Sequence, residues 1–318
     1  MNVLSLFDGI SCGQLALQRA GIKVDNYLAS EIDKYAMMIT QKNFPNTKQL
    51  GNIYDIDIAA LPPIDIVIGG SPCTYWSIAK RNRQTTSEGE GFNLFMQFVR
   101  IVRETKAKYF LYENNNSIHK DIKEAITKEL GVDYVMVNSS LFSAQQRKRC
   151  YWTNIPIDLE MEDKEILLKD ILESGIPYQD KSHVLTASYN GAVIWNSLER
   201  SQRSMICEPV RIVRIGKGGQ GQRVYSVVGK SVCLSANGGG QGAKTGLYKI
   251  NVPDGNYTVR KLTPIECERL QTLPDDYTAG ISNSQRYKAI GNGWTVDVIA
   301  HILGGINANG IKGAVKTC

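Results

Sequence analysis

Short β-branched runs alternate with amphipathic stretches over the first 155 residues, and that alternation constrains the fold more than any other feature. Residues 2–6 read as a strand and residues 14–20 as a helix closed by Gly21. Residues 27–32 form a second strand, and residues 34–43 a helix that Pro45 stops. Asp65-Ile66-Val67-Ile68 is a third strand. Residues 92–104 place Phe92, Phe95, Phe98, Val99 and Val102 on one helical face. Strands at 108–112 and 134–138 flank a helix at 120–129. This order predicts an α/β fold with a doubly wound parallel sheet.

The third strand ends in Gly69-Gly70-Ser71-Pro72-Cys73. A thiol delivered there sits at the carboxyl edge of the sheet, where open α/β folds place ligands. A cysteine on its own is more often a small buried hydrophobe. The polar residues 80–91 that follow carry Lys80, Arg81 and Arg83 and predict a mobile loop.

Composition narrows the class. The chain is 42% hydrophobic and 21% charged, enough apolar residue for a substantial core. No apolar run reaches membrane-spanning length, and residues 1–8 have no basic leader or small-residue cleavage site. The seven cysteines contain no Cys-x-x-Cys pair, and His119, His183 and His301 stand apart. That pattern predicts free thiols in a reducing cytoplasm and no metal. Charge is uneven. Residues 201–250 hold eight lysines and arginines against Glu208, a local +7, whereas the whole chain is +6. The same region is rich in glycine, with ten in residues 216–246, and short β-like pieces recur at 223–228 and 231–234. A second, loop-rich β unit that docks a polyanion is expected there; a solvated basic face is the other reading.

Three further features bear chemistry. The turn Asp8-Gly9-Ile10-Ser11-Cys12-Gly13 follows the first strand and Glu31 ends the second, an arrangement suited to a hydroxyl-bearing cofactor. Glu113 ends another strand, where a carboxyl can hydrogen-bond a substrate nitrogen. Gln145-Gln146-Arg147-Lys148-Arg149 could clamp an anion or form a basic surface loop.

In chain order these residues resemble the DNA cytosine-C5 methyltransferases, especially the short single-chain bacterial and phage type. The matches are Phe7-Asp8-Gly9 with Gly13, Glu31 with Asp33, Pro72-Cys73, Glu113-Asn114, and Gln145-x-Arg147-x-Arg149. Arg260-x-Leu262-x-Pro264-x-Glu266 and Gly291-Asn292 complete them. Residues 234–240 with Lys244-Thr245-Gly246 resemble a target-recognition loop.

The resemblance implies an S-adenosylmethionine-dependent methyltransferase domain over 1–177, completed by 285–318, with a recognition domain over 178–284. It implies Cys73 as nucleophile at C6 of a flipped cytosine and Glu113 at the N3 edge. Arg147 would orient the ring and Glu113, with Arg149 in support. S-adenosylmethionine would lie against Phe7, Asp8, Gly9, Ile10, Gly13, Glu31, Ile32, Asn52, Ile53, Pro72, Leu94, Asn292, Gly293 and Trp294. Double-stranded DNA would meet Lys217, Arg223, Ser235, Gly238, Gly239, Gly240 and Lys244. The resemblance further implies a monomeric cytoplasmic enzyme of a bacterial or phage-infected cell, with a cognate restriction endonuclease as an allowed partner. The chain departs from the family pattern at Asn52, Asn115, Cys233 and Gly293-Trp294. An inactive DNA-binding relative, a tRNA cytosine methyltransferase and a transferase using a modified donor stay open.

Overall fold

The computed structural model describes residues 1–72, 75–76, 84–177, 179–193, 200, 202–209, 213–214, 223–226, 247–249 and 257–314. Its centre is a seven-stranded sheet. Four segments come first: β1 (Asn2–Leu6), α1 (Cys12–Arg19), β2 (Asn26–Ser30) and α2 (Lys34–Asn43). β3 (Lys48–Gln49), β4 (Ile66–Gly69), α3 (Glu90–Thr105) and β5 (Tyr109–Asn115) follow. Then come α4 (Lys120–Leu130), β6 (Tyr134–Asn138) and β7 (Lys148–Thr153). The spatial order is β3-β2-β1-β4-β5-β7-β6.

Local chemistry sets several of these boundaries. Asp33 caps α2, its Oδ1 accepting from the backbone N–H groups of Tyr35 at 2.9 Å and Ala36 at 3.3 Å. Gly131, at φ 69°, ends α4 in the left-handed conformation that glycine adopts without strain. α3 begins at Glu90, within the stretch expected to be loop, and residues 80–83 lie outside the described residues.

One strand corrects the all-parallel expectation. β1 to β5 run parallel, but β7 lies antiparallel to both β5 and β6. Only residues 139–147 join β6 to β7. A parallel return needs a crossover of about a dozen residues or more, so the shorter link forces the reversal. The start of β7 therefore lies beside the end of β5, with Asn115 opposite Arg149.

Both sheet faces are buried. Val3, Ile66, Ile68 and Leu111 pack with α1 and with Ile299, Ile302 and Leu303 of α8 (Val296–Ala314). Leu4, Leu6 and Val67 pack oppositely with Phe95 and Phe98 of α3 and Ile122 and Ile126 of α4. Alternate residues of β1 thus feed opposite cores, as the two-residue strand period requires.

A third core joins α5 (Leu168–Ile171) to Leu185, Tyr189, Ile206, Leu262, Leu270, Tyr287 and Ile290. Its frame is a three-stranded sheet of β8 (Ile176–Pro177), β9 (Met205–Pro209) and β13 (Tyr257–Lys261) in the order β13-β9-β8. β10 (Val213–Arg214), β11 (Arg223–Ser226) and β12 (Leu247–Lys249) pair separately. β11 coincides with one β-like piece read from the sequence; residues 231–234 lie outside the described residues. Packing also crosses the expected domain limits. Leu273 and Tyr277, numbered within 178–284, belong to the first core, and the Tyr277 hydroxyl donates to the Ile10 carbonyl at 2.8 Å.

α6 (Pro264–Leu270) opens with proline in its first turn and a capping box. Thr263 and Glu266 cap reciprocally, and Glu266 also receives both ends of Arg260, each at 2.8 Å. The Glu266 side chain is wholly buried, and its Oε1 accepts from the Glu173 backbone N–H at 2.9 Å. This carboxylate ties β13, α6 and the segment after α5 together. Glu266→Ala leaves the Arg260 charge without that partner and should destabilise the fold by about 3–5 kcal/mol. Urea unfolding checks this, and a loss below about 1 kcal/mol would match an exposed pair instead.

Candidate active site

The carboxyl edges of β1, β2, β4 and β5 surround a cavity of about 220 Å³. Phe7, Asp8, Gly9 and Ile10 come from the first turn, Glu31 from the end of β2 and Pro72 from the end of β4. Glu113 comes from β5, Arg147 and Arg149 from the start of β7. Asn292, Gly293 and Trp294 come from the link between α7 (Asn283–Asn292) and α8.

Glu31 is fastened to the first turn. Its Oε2 accepts from the Gly9 N–H at 2.8 Å, and its Oε1 accepts from Ile32 and Asp33, each at 2.8 Å. An ionised carboxylate offers about four acceptor positions, so room remains for one more donor. Asp8 lies on the other side of the turn, accepting from Tyr27 at 2.7 Å and Ser11 at 2.5 Å. Burial pushes its carboxyl up to about 6, against the pull of those hydroxyls.

Glu113, expected at the end of its strand, lies two residues before the end of β5, because pairing with β7 carries the strand to Asn115. Arg149 Nε meets its Oε1 at 3.0 Å, with both side chains largely buried. Trp294 Nε1 donates to its Oε2 at 2.9 Å. Gly70 packs directly against this carboxylate; a Cβ there would fall 2.8 Å from the Glu113 carbonyl oxygen and 2.9 Å from Oε2.

Arg149, expected in a supporting part, pairs with Glu113. Arg147, expected to orient the ring and Glu113, is buried. Its Nη1 reaches the Leu185 carbonyl at 2.8 Å, and its Nη2 reaches those of Gly291 at 3.3 Å and Gly293 at 2.9 Å. Gln145 is also buried, and its Nε2 donates to the Leu270 carbonyl at 3.1 Å. The motif thus alternates, with Gln145 and Arg147 buried and Gln146 and Lys148 exposed.

The turn after β4 is held from below. Tyr112 packs among Phe95, Phe98 and Trp152, and its hydroxyl lies 2.6 Å from Ser71 Oγ. Asn114 Nδ2 donates to the Ser71 carbonyl at 3.2 Å. Ser71 belongs to the turn read from the sequence, but Tyr112 carries no motif signal; only the fold brings the two together. Cys73 lies outside the described residues, as do Lys217, Ser235, Gly238, Gly239, Gly240 and Lys244; Arg223 falls on β11.

Other expected residues do not line the cavity. Gly13 lies beneath it, where a Cβ would meet Ile68, Tyr27 and Trp294. Ile32 is 76% exposed. Asn52 caps a short helical turn through the Tyr54 N–H, at 3.2 Å. Ile53 is buried in the second core, and Leu94 packs against it. Asn115, by contrast, does line the cavity, and its side-chain oxygen accepts from the Ser117 N–H at 3.1 Å.

Lys288 was missed; it bridges the cavity mouth to Asp33 Oδ2 at 2.5 Å. No cluster of three or more metal-ligating side chains occurs among the described residues. Burial pushes the Cys12 thiol up to about 12 and that of Cys150 to about 11, and holds Cys267 well above its ordinary value. None of these three is poised as a thiolate.

The family model for C-5 cytosine-specific DNA methylase matches residues 1–308. Type II methyltransferase M.HhaI of Haemophilus parahaemolyticus is 30% identical over 327 residues, spanning 97% of this chain and 95% of its own. Type II methyltransferase M.HaeII of Haemophilus aegyptius is 30% identical over 322 residues, spanning 95% and 92%. Orphan methyltransferase M.SPRI of Bacillus phage SPR is 26% identical over 429 residues, spanning 95% and 96%. Among solved structures, the Entamoeba histolytica methyltransferase EhMeth superposes with a TM-score of 0.68 at 17% identity, covering 97% of this chain and 98% of that one. DNMT2 of Spodoptera frugiperda gives 0.58 at 17%, covering 96% and 99%. These two share the fold.

The raised Asp8 carboxyl sets a pH dependence. A carboxyl that binds its proton more tightly when folded contributes stability fully below 3.8 and loses it as pH rises through about 6. Asp8→Asn keeps an acceptor for Tyr27 and cannot ionise. Urea unfolding from pH 4 to 6.5 should show the wild type losing stability relative to Asp8→Asn. Parallel pH curves for the two proteins would contradict this.

Proposed function

The chain belongs to the C-5 cytosine-specific DNA methylase family, and on that premise we propose methyl transfer to C5 of a flipped cytosine through a covalent link between Cys73 and C6. The observation that carries the reading is Glu113, its two carboxylate oxygens each held by a fixed donor at the edge of a cavity whose other wall is the Glu31-bound turn.

The cavity suits S-adenosylmethionine in its donor set. Glu31 keeps an acceptor position for a ribose hydroxyl, and the first turn and the Asn292–Trp294 link offer backbone groups. Phe7, Asp8, Gly9, Ile10, Pro72, Asn292, Gly293 and Trp294 would hold it in the cavity. Its adenine end would extend toward Ile32, Asn52, Ile53 and Leu94, over Gly13. When bound, S-adenosylmethionine supplies an electrophilic methyl group.

C5 of cytosine is a poor nucleophile. Addition of the Cys73 thiolate at C6, with a proton taken up at N3, makes C5 enamine-like. C5 would take the methyl as the donor's carbon–sulfur bond breaks to leave a neutral thioether. A water would accept the C5 proton as the C6–sulfur bond breaks and N3 gives its proton back. Glu113 faces N3 and stabilises the ring as electron density moves through it. Arg149 keeps the carboxyl in place, and Arg147 acts at a distance by fixing the Gly291–Gly293 turn. A base inside a duplex cannot reach this cavity, so the cytosine must leave the stack. Residues 178–284 form the recognition unit in this reading. Residues 216–246 enter the major groove, and Lys217, Arg223 and Lys244 contact phosphates.

Bisulfite sequencing of DNA from cells expressing the protein should reveal one methylated motif, and mass spectrometry should identify the product as 5-methylcytosine. Cys73→Ala should abolish transfer and retain DNA binding. DNA carrying 5-fluorocytosine in that motif should stay covalently joined to the wild type when S-adenosylmethionine is present, with the bond mapping to Cys73. An adduct on another cysteine, or undiminished methylation by Cys73→Ala, refutes the mechanism.

A further inference from the structure

Trp294 reaches the site from the far end of the chain. It lies between α7 and α8 and is partly buried. Its indole N–H meets Glu113 Oε2 at 2.9 Å, opposite the oxygen that Arg149 holds at 3.0 Å. An indole nitrogen only donates, so Oε2 must accept there. A carboxyl turns broadly about its last bond. One donor leaves that rotation open, whereas donors on opposite oxygens fix the plane. The ring itself is braced over the first turn, where a Cβ on Gly13 would lie 3.4 Å from its six-membered edge.

The backbone that carries Trp294 is equally fixed. Arg147 holds the Gly291 and Gly293 carbonyls. Gln271 Nε2 donates to those of Ile290 at 2.9 Å and Gly293 at 3.2 Å. Thr295 Oγ1 donates to Gln271 Oε1 at 2.8 Å and accepts from Ser139 Oγ at 3.0 Å. The indole is therefore presented to Glu113 from a rigid segment.

We propose that Trp294 is a positioning residue for Glu113, setting the plane of the carboxyl that faces N3 of the cytosine. Its hydrogen bond then serves the chemical step rather than donor affinity. The proposal rests on the reading of this site as a cytosine-C5 methyltransferase.

Two replacements separate the hydrogen bond from the ring. Trp294→Phe removes the donor and part of the ring. The benzothienylalanine isostere at position 294 keeps the bicyclic shape and puts sulfur in place of the N–H. Methyl transfer from labelled S-adenosylmethionine to unmethylated genomic DNA gives kcat, and calorimetric titration gives the donor Kd. The isostere should lower kcat about 10- to 100-fold, the range for losing a hydrogen bond to a charged group, and leave the donor Kd within about twofold. Trp294→Phe should lose at least as much. An isostere with wild-type kcat overturns the proposal, because ring shape alone then suffices. A loss carried by donor Kd at unchanged kcat also overturns it. If Trp294→Phe fails to fold, the isostere decides alone. Wild-type protein that leaves DNA cytosine unmethylated would overturn the functional reading itself, and the proposal with it, before either replacement is compared.

Discussion

A buried guanidinium joins segments far apart in the chain. Arg147 is 4% exposed and gives its donors to the carbonyls of Leu185, Gly291 and Gly293. Burying a cation costs several kcal/mol per ion unless hydrogen bonds replace its hydration, so this arrangement persists only while those carbonyls stay in place. Arg149 follows two residues later and grips Glu113. One stretch of chain thereby fixes the carboxylate from two directions, directly through Arg149 and remotely through the Trp294 that Arg147 helps to seat.

The second support comes through the core. Tyr112 is wholly buried, packed against the tilted rings of Phe95, Phe98 and Trp152 with centroids 5.0 to 5.9 Å away. Burial pushes its phenol far up, so the hydroxyl keeps its proton for bonding with Ser71. The turn after β4 is thus anchored to the apolar interior, and Asn114 pins its backbone from the same strand. The described supports of the site are thus core residues.

Most of the framework was legible in the sequence because its signals are local. Residues 2–6 and 34–43 mark the bounds of β1 and α2 locally, through an apolar run in the first and Pro45 just beyond the second. The double burial of β1 and β4 is visible in their apolar runs. The direction of β7 was less visible, because Lys148 and Arg149 mask its start and only the short link from β6 betrays it. Motif spacing gathers Glu113, Arg147 and Arg149 but gives no means of telling which arginine faces the carboxylate. The indole of Trp294 looked like a departure in the cofactor segment; its bond to Glu113 spans 181 positions, and no local pattern encodes that.

The return of the chain carries a consequence for its synthesis. A ribosome releases β1, β4, β5 and β7 well before Trp294 and α8. Until α8 emerges, the sheet face formed by Val3, Ile66, Ile68 and Leu111 lacks the cover of Ile299, Ile302 and Leu303. Glu113 has Arg149 but not its indole partner, and the cavity lacks the wall that Asn292–Trp294 supply. A nascent chain can therefore carry every motif up to Gly291 and still have no assembled site. The cavity is complete only once the segment that carries Trp294 has emerged and folded back onto the sheet.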